Sequence, residues 1–331
     1  MEVAMRKSLI WIACAAILAV AGCGPKEPEG QTTGGETNTN KKFTVVFSQC
    51  NNAEPYRAEQ NKLMEKLWAE KPDVKFDIQD GGQDNDKQAE QIRTIIRQKP
   101  DLLIVAPNDS QPLTAPVKEA YEAGIPVIVL ERNVNSDSYT TFVKCDNYAI
   151  GKSVGEFIVE YLKKKNGAPK GNIVQLHGIL GNKPEQERND GAKEIYSKFP
   201  GIKVVSDQTA NWIQEEAQTR MTEVLNANPK IDVVYGHNDP MAIGAYLAAK
   251  EKGRDKEMIF IGIDGLATPE GGIKKVQDNV LAVTFIYPLC VDKAVEIGYK
   301  ILTDKSFKPE KEYTMPSSKV GKEEAAKYKI E

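Results

Sequence analysis

The sequence predicts an α/β fold with parallel sheets in two lobes of similar topology, on three observations: short continuous apolar runs, amphipathic stretches between them, and a pattern written twice. The runs Leu102 to Ala106, Val127 to Leu130, Val233 to Tyr235 and Ile259 to Ile263 do not alternate with polar residues, as befits strands covered on both faces. Helical spacing lies between them. From Gln88 to Gln98, the residues Ala89, Ile92, Ile95 and Ile96 share one face, and Pro116 to Glu122 reads as a helix closed by Gly124. Strand, helix and strand in that order make βαβ units and parallel sheets. The repeat runs Asp101-Leu-Leu-Ile-Val-Ala-Pro-Asn108-Asp109, a helix, a glycine, then Val-Ile-Val-Leu-Glu131. It returns as Asp232-Val-Val-Tyr-Gly-His-Asn238-Asp239, a helix, Gly253, then Ile-Phe-Ile-Gly-Ile-Asp264. Two lobes of like topology are the economical reading.

The chain opens with Arg6 and Lys7, then an apolar run from Leu9 to Ala21, the layout of a secretory signal over residues 1–22. The run is too short for a spanning helix, which needs about 20 apolar residues. Val20-Ala21-Gly22-Cys23 resembles a lipobox, which makes Cys23 the expected lipidation site and the chain an exported, membrane-anchored lipoprotein. Residues 24–42 are Gly, Pro, Thr, Asn and charged groups with nothing to seed a core, so 23–42 reads as a lipidated cysteine and a disordered linker. The formal charge is −3, and loss of the signal removes two cations and one anion. A mildly acidic surface argues against nucleic acid. The remaining roughly 290 residues exceed a comfortable single core.

Of the five cysteines, Cys14 leaves with the signal and Cys23 carries lipid, leaving Cys50, Cys145 and Cys290. Their wide, odd-numbered spacing gives no disulfide framework and does not say whether any pair is oxidised. His177 and His237 each follow a strand, yet no third ligand stands at a metal-like spacing, so neither metal nor cofactor is expected.

In open parallel sheets, ligands bind beyond the carboxyl ends of the strands. The positions there are Ser48 to Arg57, Asn108 and Asp109, Glu131 and Arg132, His177 to Arg188, Asn211 and Trp212, His237 to Asp239, and Asp264. They mix acids, amides, arginines and aromatics. Sugars suit that mixture, because hydroxyls pair with planar polar groups while CH faces lie on aromatic rings. Asp109 and Asp239 read as helix N-caps, whereas Asn238 and Asp264 suit both capping and ligand contact.

At these residues, from Phe43 to about Val320, the chain resembles the type I periplasmic sugar-binding proteins, the ribose-binding and galactofuranose-binding group that serves ABC importers. The stretch Phe47-Ser-Gln-Cys-Asn-Asn-Ala-Glu-Pro-Tyr-Arg57 is similar to the first-strand loop of the galactofuranose-binding branch. That similarity implies sugar contact for Tyr56 and Arg57, with Ser48 and Asn52 as further candidates. Leu130-Glu131-Arg132 stands where the family has Leu-Asp-Arg. Glu187-Arg188 falls on its second arginine and Trp212 on its second-lobe aromatic, while Asn238 and Asp264 complete the second wall. Two departures bear on the sugar: Glu131 is one methylene longer than aspartate, and Ile286 replaces a glutamine common in the family.

The resemblance further implies three crossing strands between the lobes, near Cys145-Asp146, Ile286-Tyr287 and Met315-Pro316. The first lobe would then hold 43–145 plus 287–315, and the second 146–286 plus 316–331. It implies a monomer with no catalytic residues, cofactor or metal, closing on a pentose or hexose and presenting it to an importer permease. A sensor feeding a chemoreceptor or kinase shares those features. A glycosidase using Glu131 and Asp264 would need carboxyls roughly 5–9 Å apart across a glycosidic bond, and the abundance of arginines speaks against it. A LacI-like repressor core shares the fold but conflicts with the export signal.

Overall fold

Parallel pairing organises the computed structural model, which describes residues 43–330. The expected signal, the lipidation site at Cys23 and the linker lie outside the described residues. Chain order begins with β1 (Phe43–Gln49), α1 (Pro55–Ala69), β2 (Val74–Asp80), α2 (Asn85–Gln98), β3 (Leu102–Val105), α3 (Ser110–Glu122), β4 (Val127–Leu130) and β5 (Thr141–Cys145). It continues through α4 (Asn147–Asn166), β6 (Gly171–His177), α5 (Lys183–Tyr196), β7 (Ile202–Thr209), α6 (Gln214–Ala227), β8 (Val233–Gly236), α7 (Asp239–Glu251), β9 (Ile259–Ile261), α8 (Gly272–Gln277) and β10 (Thr284–Phe285). The last elements are α9 (Val291–Thr303), β11 (Glu312–Met315), β12 (Lys319–Val320) and α10 (Lys322–Ala325).

The first sheet has the order β11-β5-β4-β3-β1-β2 and is parallel throughout. The second has the order β7-β6-β8-β9, and parallel bridges from Ile261 to Val283 and from Asp264 to Ile286 continue it. Each sheet therefore reverses its strand order once, between β1 and β3 and between β6 and β8. The repeated sequence pattern falls on β3-α3-β4 and on β8-α7-β9, at equivalent places in the two sheets. The described residues thus form the α/β fold of two similar parallel-sheet lobes. Among them no helix is long and apolar enough to cross a membrane.

The continuous runs became strands for the expected reason. Leu102, Leu103, Ile104 and Val105 in β3, and Val127 to Leu130 in β4, are entirely buried, with helices on both faces. Helix α2 starts where Asp84 accepts from the Asp86 and Lys87 amides and ends at left-handed Lys99. Helix α3 begins six residues before Pro116, capped by Asp109. Proline is favoured at a helix start and costly inside one, so the sequence pattern starts this helix at Pro116, whereas α3 carries that proline internally.

The chain passes from the first sheet to the second between Cys145 and α4. It returns after β10, because α9 packs on α1, β3 and β4 and β11 pairs with β5. It leaves again beyond Met315, since β12 pairs antiparallel with β10 and α10 packs on α8.

Candidate functional site

Beyond the carboxyl ends of the strands, both sheets send polar side chains into one chamber. It is lined by Glu54, Tyr56, Arg57, Glu131 and Arg132 from the first lobe, by Pro184, Arg188, Trp212, Asn238 and Asp264 from the second, and by Tyr287 from the returning crossover.

On the first wall, Glu131 follows β4 and is clamped from three sides. Arg57 Nη2 donates to Oε2 at 2.6 Å, the Tyr287 hydroxyl donates to Oε1 at 2.9 Å, and Arg132 Nε stands 3.5 Å from Oε2. Arg132 also donates to the Asn108 carbonyl at 3.0 Å and approaches Glu54 at 3.8 Å. Burial opposes charge on Glu131, yet Arg57 and Arg132 hold its carboxyl below the usual range.

The second wall is built on α5, the loop before α6 and the start of α7. Arg188, held by helix α5, donates to Asn147 Oδ1 at 2.9 Å and to the His237 carbonyl at 2.5 Å. Its guanidinium lies over the Tyr287 ring at 4.4 Å and over Trp212 at 5.4 Å. Asn238 caps α7 by accepting from the Met241 amide and donates to the Trp212 carbonyl at 3.0 Å. It therefore positions the indole as well as the helix. Burial, and next the Asp239 carboxyl behind it, push Asp264 well above the usual carboxylate range, against Arg188.

The walls meet. Asn182 of the second lobe donates to the Asn108 carbonyl of the first at 3.1 Å, and Arg132 lies 5.8 Å over the Trp212 ring. The room left between them is about 20 Å³, little more than the about 10–15 Å³ that one water needs, so any ring-sized ligand requires the walls to part. Trp212 Nε1 and Arg57 Nε are buried donors with no partner in the protein. Glu131, Trp212 and Asp264 have φ of 66°, 71° and 141°. Non-glycine residues held there cost of order 1–3 kcal/mol each and cluster at functional sites. A larger cleft of about 380 Å³ shares Glu131 and Pro184 with the chamber but lacks its arginines and indole.

The structure brings together Tyr56, Arg57, Glu131, Arg132, Arg188, Trp212, Asn238 and Asp264. Ser48 and Asn52 stand apart. Ser48 is buried within β1 and its hydroxyl accepts from Gln88 at 3.2 Å, while Asn52 is exposed and accepts from Asn61. Tyr287, Glu54 and Pro184 join the site although sequence reasoning did not select them as contacts. Asp239 is corrected: the cap belongs to Asn238, and the buried Asp239 carboxyl accepts from Thr284 at 2.7 Å and from the Gly265 amide at 2.8 Å.

Behind the second wall, His177, Glu185 and His237 place ligand-type atoms within 4.8 Å of one another. Glu185 is the third group that the sequence spacing did not reveal. His177 Nδ1 pairs with Glu185 at 2.7 Å and Nε2 pairs with Asp207. Against its burial, these carboxylates raise His177 to about 9. His177 is thus tied to Glu185 in the first turn of α5 and to Asp207, while His237 lies beside it with ring centroids 4.4 Å apart and neither ring nitrogen partnered in the protein.

A family model for the periplasmic binding protein domain matches residues 45–305. The chain belongs to this family. The ribose import binding protein of Bacillus subtilis (strain 168) is 29% identical over 280 residues, covering 85% of this chain and 87% of its own length. The galactofuranose-binding protein of Escherichia coli (strain K12) is 32% identical over 232 residues, covering 68% and 71%. Among solved structures, the fructose-binding periplasmic domain of a hybrid two-component system superposes with a TM-score of 0.80 at 41% identity, over 86% of this chain and 92% of that one. The family is extracytoplasmic and binds substrates rather than converting them, which sets aside catalysis by Glu131 and Asp264.

Proposed function

We propose that this chain captures a monosaccharide, a pentose or hexose in pyranose or furanose form, by closing its two lobes and delivers it to an ABC importer. The observation that carries this reading is the convergence of guanidinium, carboxylate, amide and aromatic groups from both sheets on one chamber. Clamped carboxylates and planar donors suit vicinal hydroxyls, and the indole with Tyr56 and Tyr287 suits the CH faces of a ring. Tyr56, Arg57, Glu131, Arg132, Arg188, Trp212, Asn238 and Asp264 are the proposed contacts, with Glu54 and Tyr287 added to them. The relatives named for ribose, galactofuranose and fructose support a sugar as the ligand class.

Residues 43–145 with 287–315 form the first proposed lobe, and 146–286 with 316–331 the second. The pairing of β11 with β5 and of β12 with β10 supports these boundaries. Opening about the crossing segments is hinge motion around a ligand. Lipidation at Cys23 tethers a monomer to the extracytoplasmic face of its membrane. A sensing output is a second reading, supported by the likeness to a domain of a two-component system; sugar uptake through a reconstituted importer separates the two.

Thermal melts of the full chain with ribose, xylose, arabinose, galactose, glucose and fructose test the ligand class. A bound sugar at about 100 times its Kd adds about 2.7 kcal/mol of stability and raises Tm. No shift with any of them contradicts the reading.

A further inference from the structure

Cysteine spacing left open which thiols could pair, and the fold narrows the choice to one. Cys145 Sγ and Cys290 Sγ lie 3.8 Å apart, both buried, although 145 residues separate them in the chain. Both also face the Pro288 carbonyl, at 3.8 and 3.4 Å. Cys50 sits elsewhere, its sulfur against Gln49, Asn51 and Arg132.

The places of the two residues matter as much as the distance. Cys145 ends β5, where the chain first leaves for the second sheet, and Cys290 is the N-cap of α9, where it has just returned. A bond between them would clip two of the crossing segments at the same level. Cys290 is also held at φ 62°, a conformation that a non-glycine residue keeps only when its surroundings impose it.

We infer that Cys145 and Cys290 form a disulfide that ties the first crossing segment to the second. The sulfurs must approach from 3.8 Å to about 2.05 Å, a movement within reach of side-chain rotation and a small backbone adjustment. The family's extracytoplasmic location places the pair where disulfides persist. One thiol loses its proton and attacks a disulfide-class oxidant, forming a mixed disulfide. The second thiolate then displaces the oxidant's remaining sulfur. The cysteine pair loses two electrons and two protons, and the oxidant leaves as two thiols. The hydrogen bond with Cys145, and next burial, push the Cys290 thiol well above the usual thiol range in the folded chain, so exchange belongs to folding, before α9 docks.

The clip bears on the chamber, because Tyr287 lines it and Tyr56 donates to the Pro288 carbonyl at 2.8 Å. Oxidation fixes the segment that carries both contacts. The inference does not rest on the identity of any ligand, so its failure and that of the sugar reading are separable.

The test uses the full chain, untagged and secreted into an oxidising compartment, then denatured without reductant, alkylated and peptide-mapped. A peptide joining Cys145 to Cys290, with Cys50 alkylated, is expected. Reduction should lower Tm by about 5–10 °C, as a loop of this length implies, and Cys290→Ser should show the lower Tm with no response to reductant. Alkylation of both cysteines, before and after incubation with oxidised glutathione, overturns the inference, as does a bridge that includes Cys50.

Discussion

Replacing Glu131 by glutamine keeps the side chain's shape and removes the charge on which the first wall is assembled. In the native site its carboxylate faces Arg57 at 2.6 Å and Arg132 at 3.5 Å, and all three side chains are almost fully buried. Removing one member of a buried ion pair costs about 3–5 kcal/mol, because the remaining charge is left uncompensated. The amide oxygen of Glu131→Gln still accepts one bond, and Arg132 keeps the Asn108 carbonyl, so about 3 kcal/mol is the expected loss. For a chain of this size that lowers Tm by about 6 °C, measured by calorimetry in the absence of sugar. The acid limb should change as well. The folded carboxyl titrates below its unfolded value, so its contribution is present above about pH 4.3 and is lost as pH falls through the folded pKa. Glu131→Gln should lack that loss. A melt within 1 °C of wild type, roughly the noise of the conversion, together with an unchanged acid limb, refutes the clamp.

Other consequences follow from residues behind the chamber. His177, raised to about 9 from an unfolded value of about 6.5, stabilises the fold fully below that unfolded value and loses the effect as pH rises towards 9. This amounts to up to about 3 kcal/mol, seen as a falling Tm between pH 6.5 and 9 that His177→Gln should flatten. Gly178 lies against the Trp212 ring, and a Cβ there would meet its six-membered edge well inside contact distance. Gly178→Ala should therefore displace the indole and weaken sugar binding at least about tenfold, the worth of 1.4 kcal/mol, by titration calorimetry. Asp239→Ala removes the acceptor of two buried bonds beside Asp264 and should cost about 2–4 kcal/mol in urea unfolding.

Legibility in the sequence followed the degree of burial. Strands β3 and β4 lie between two helical layers, so their continuous apolar runs could be read almost to the residue. Strand β7 is an edge strand in which Lys203 and Val204 are exposed, and its pattern carried no such signal. In the site, the residues just after β4, β8 and β9 were legible because a parallel sheet delivers its strand ends to one face. Strand alternation explains the crossover. Ile286 packs with the second-lobe core while Tyr287, one position on, lines the chamber, a distinction that depends on register. Ser48 reads as polar and well placed, yet it remains inside β1, where Gln88 takes up its hydroxyl. Glu185 could not be matched to His177 and His237 from spacing alone, because two strands and a helix must assemble before the three meet.

Titration calorimetry of the sugar picked out by thermal screening, against wild type, Arg132→Ala and Arg188→Ala, tests most directly whether walls from separate lobes grip one ligand. Wild type should bind a single sugar per chain, and each substitution should weaken it by about 100-fold or more, the worth of losing charge-assisted bonds of about 1.5–3 kcal/mol each. Wild-type affinity in both variants, one drawn from each lobe, would contradict the account.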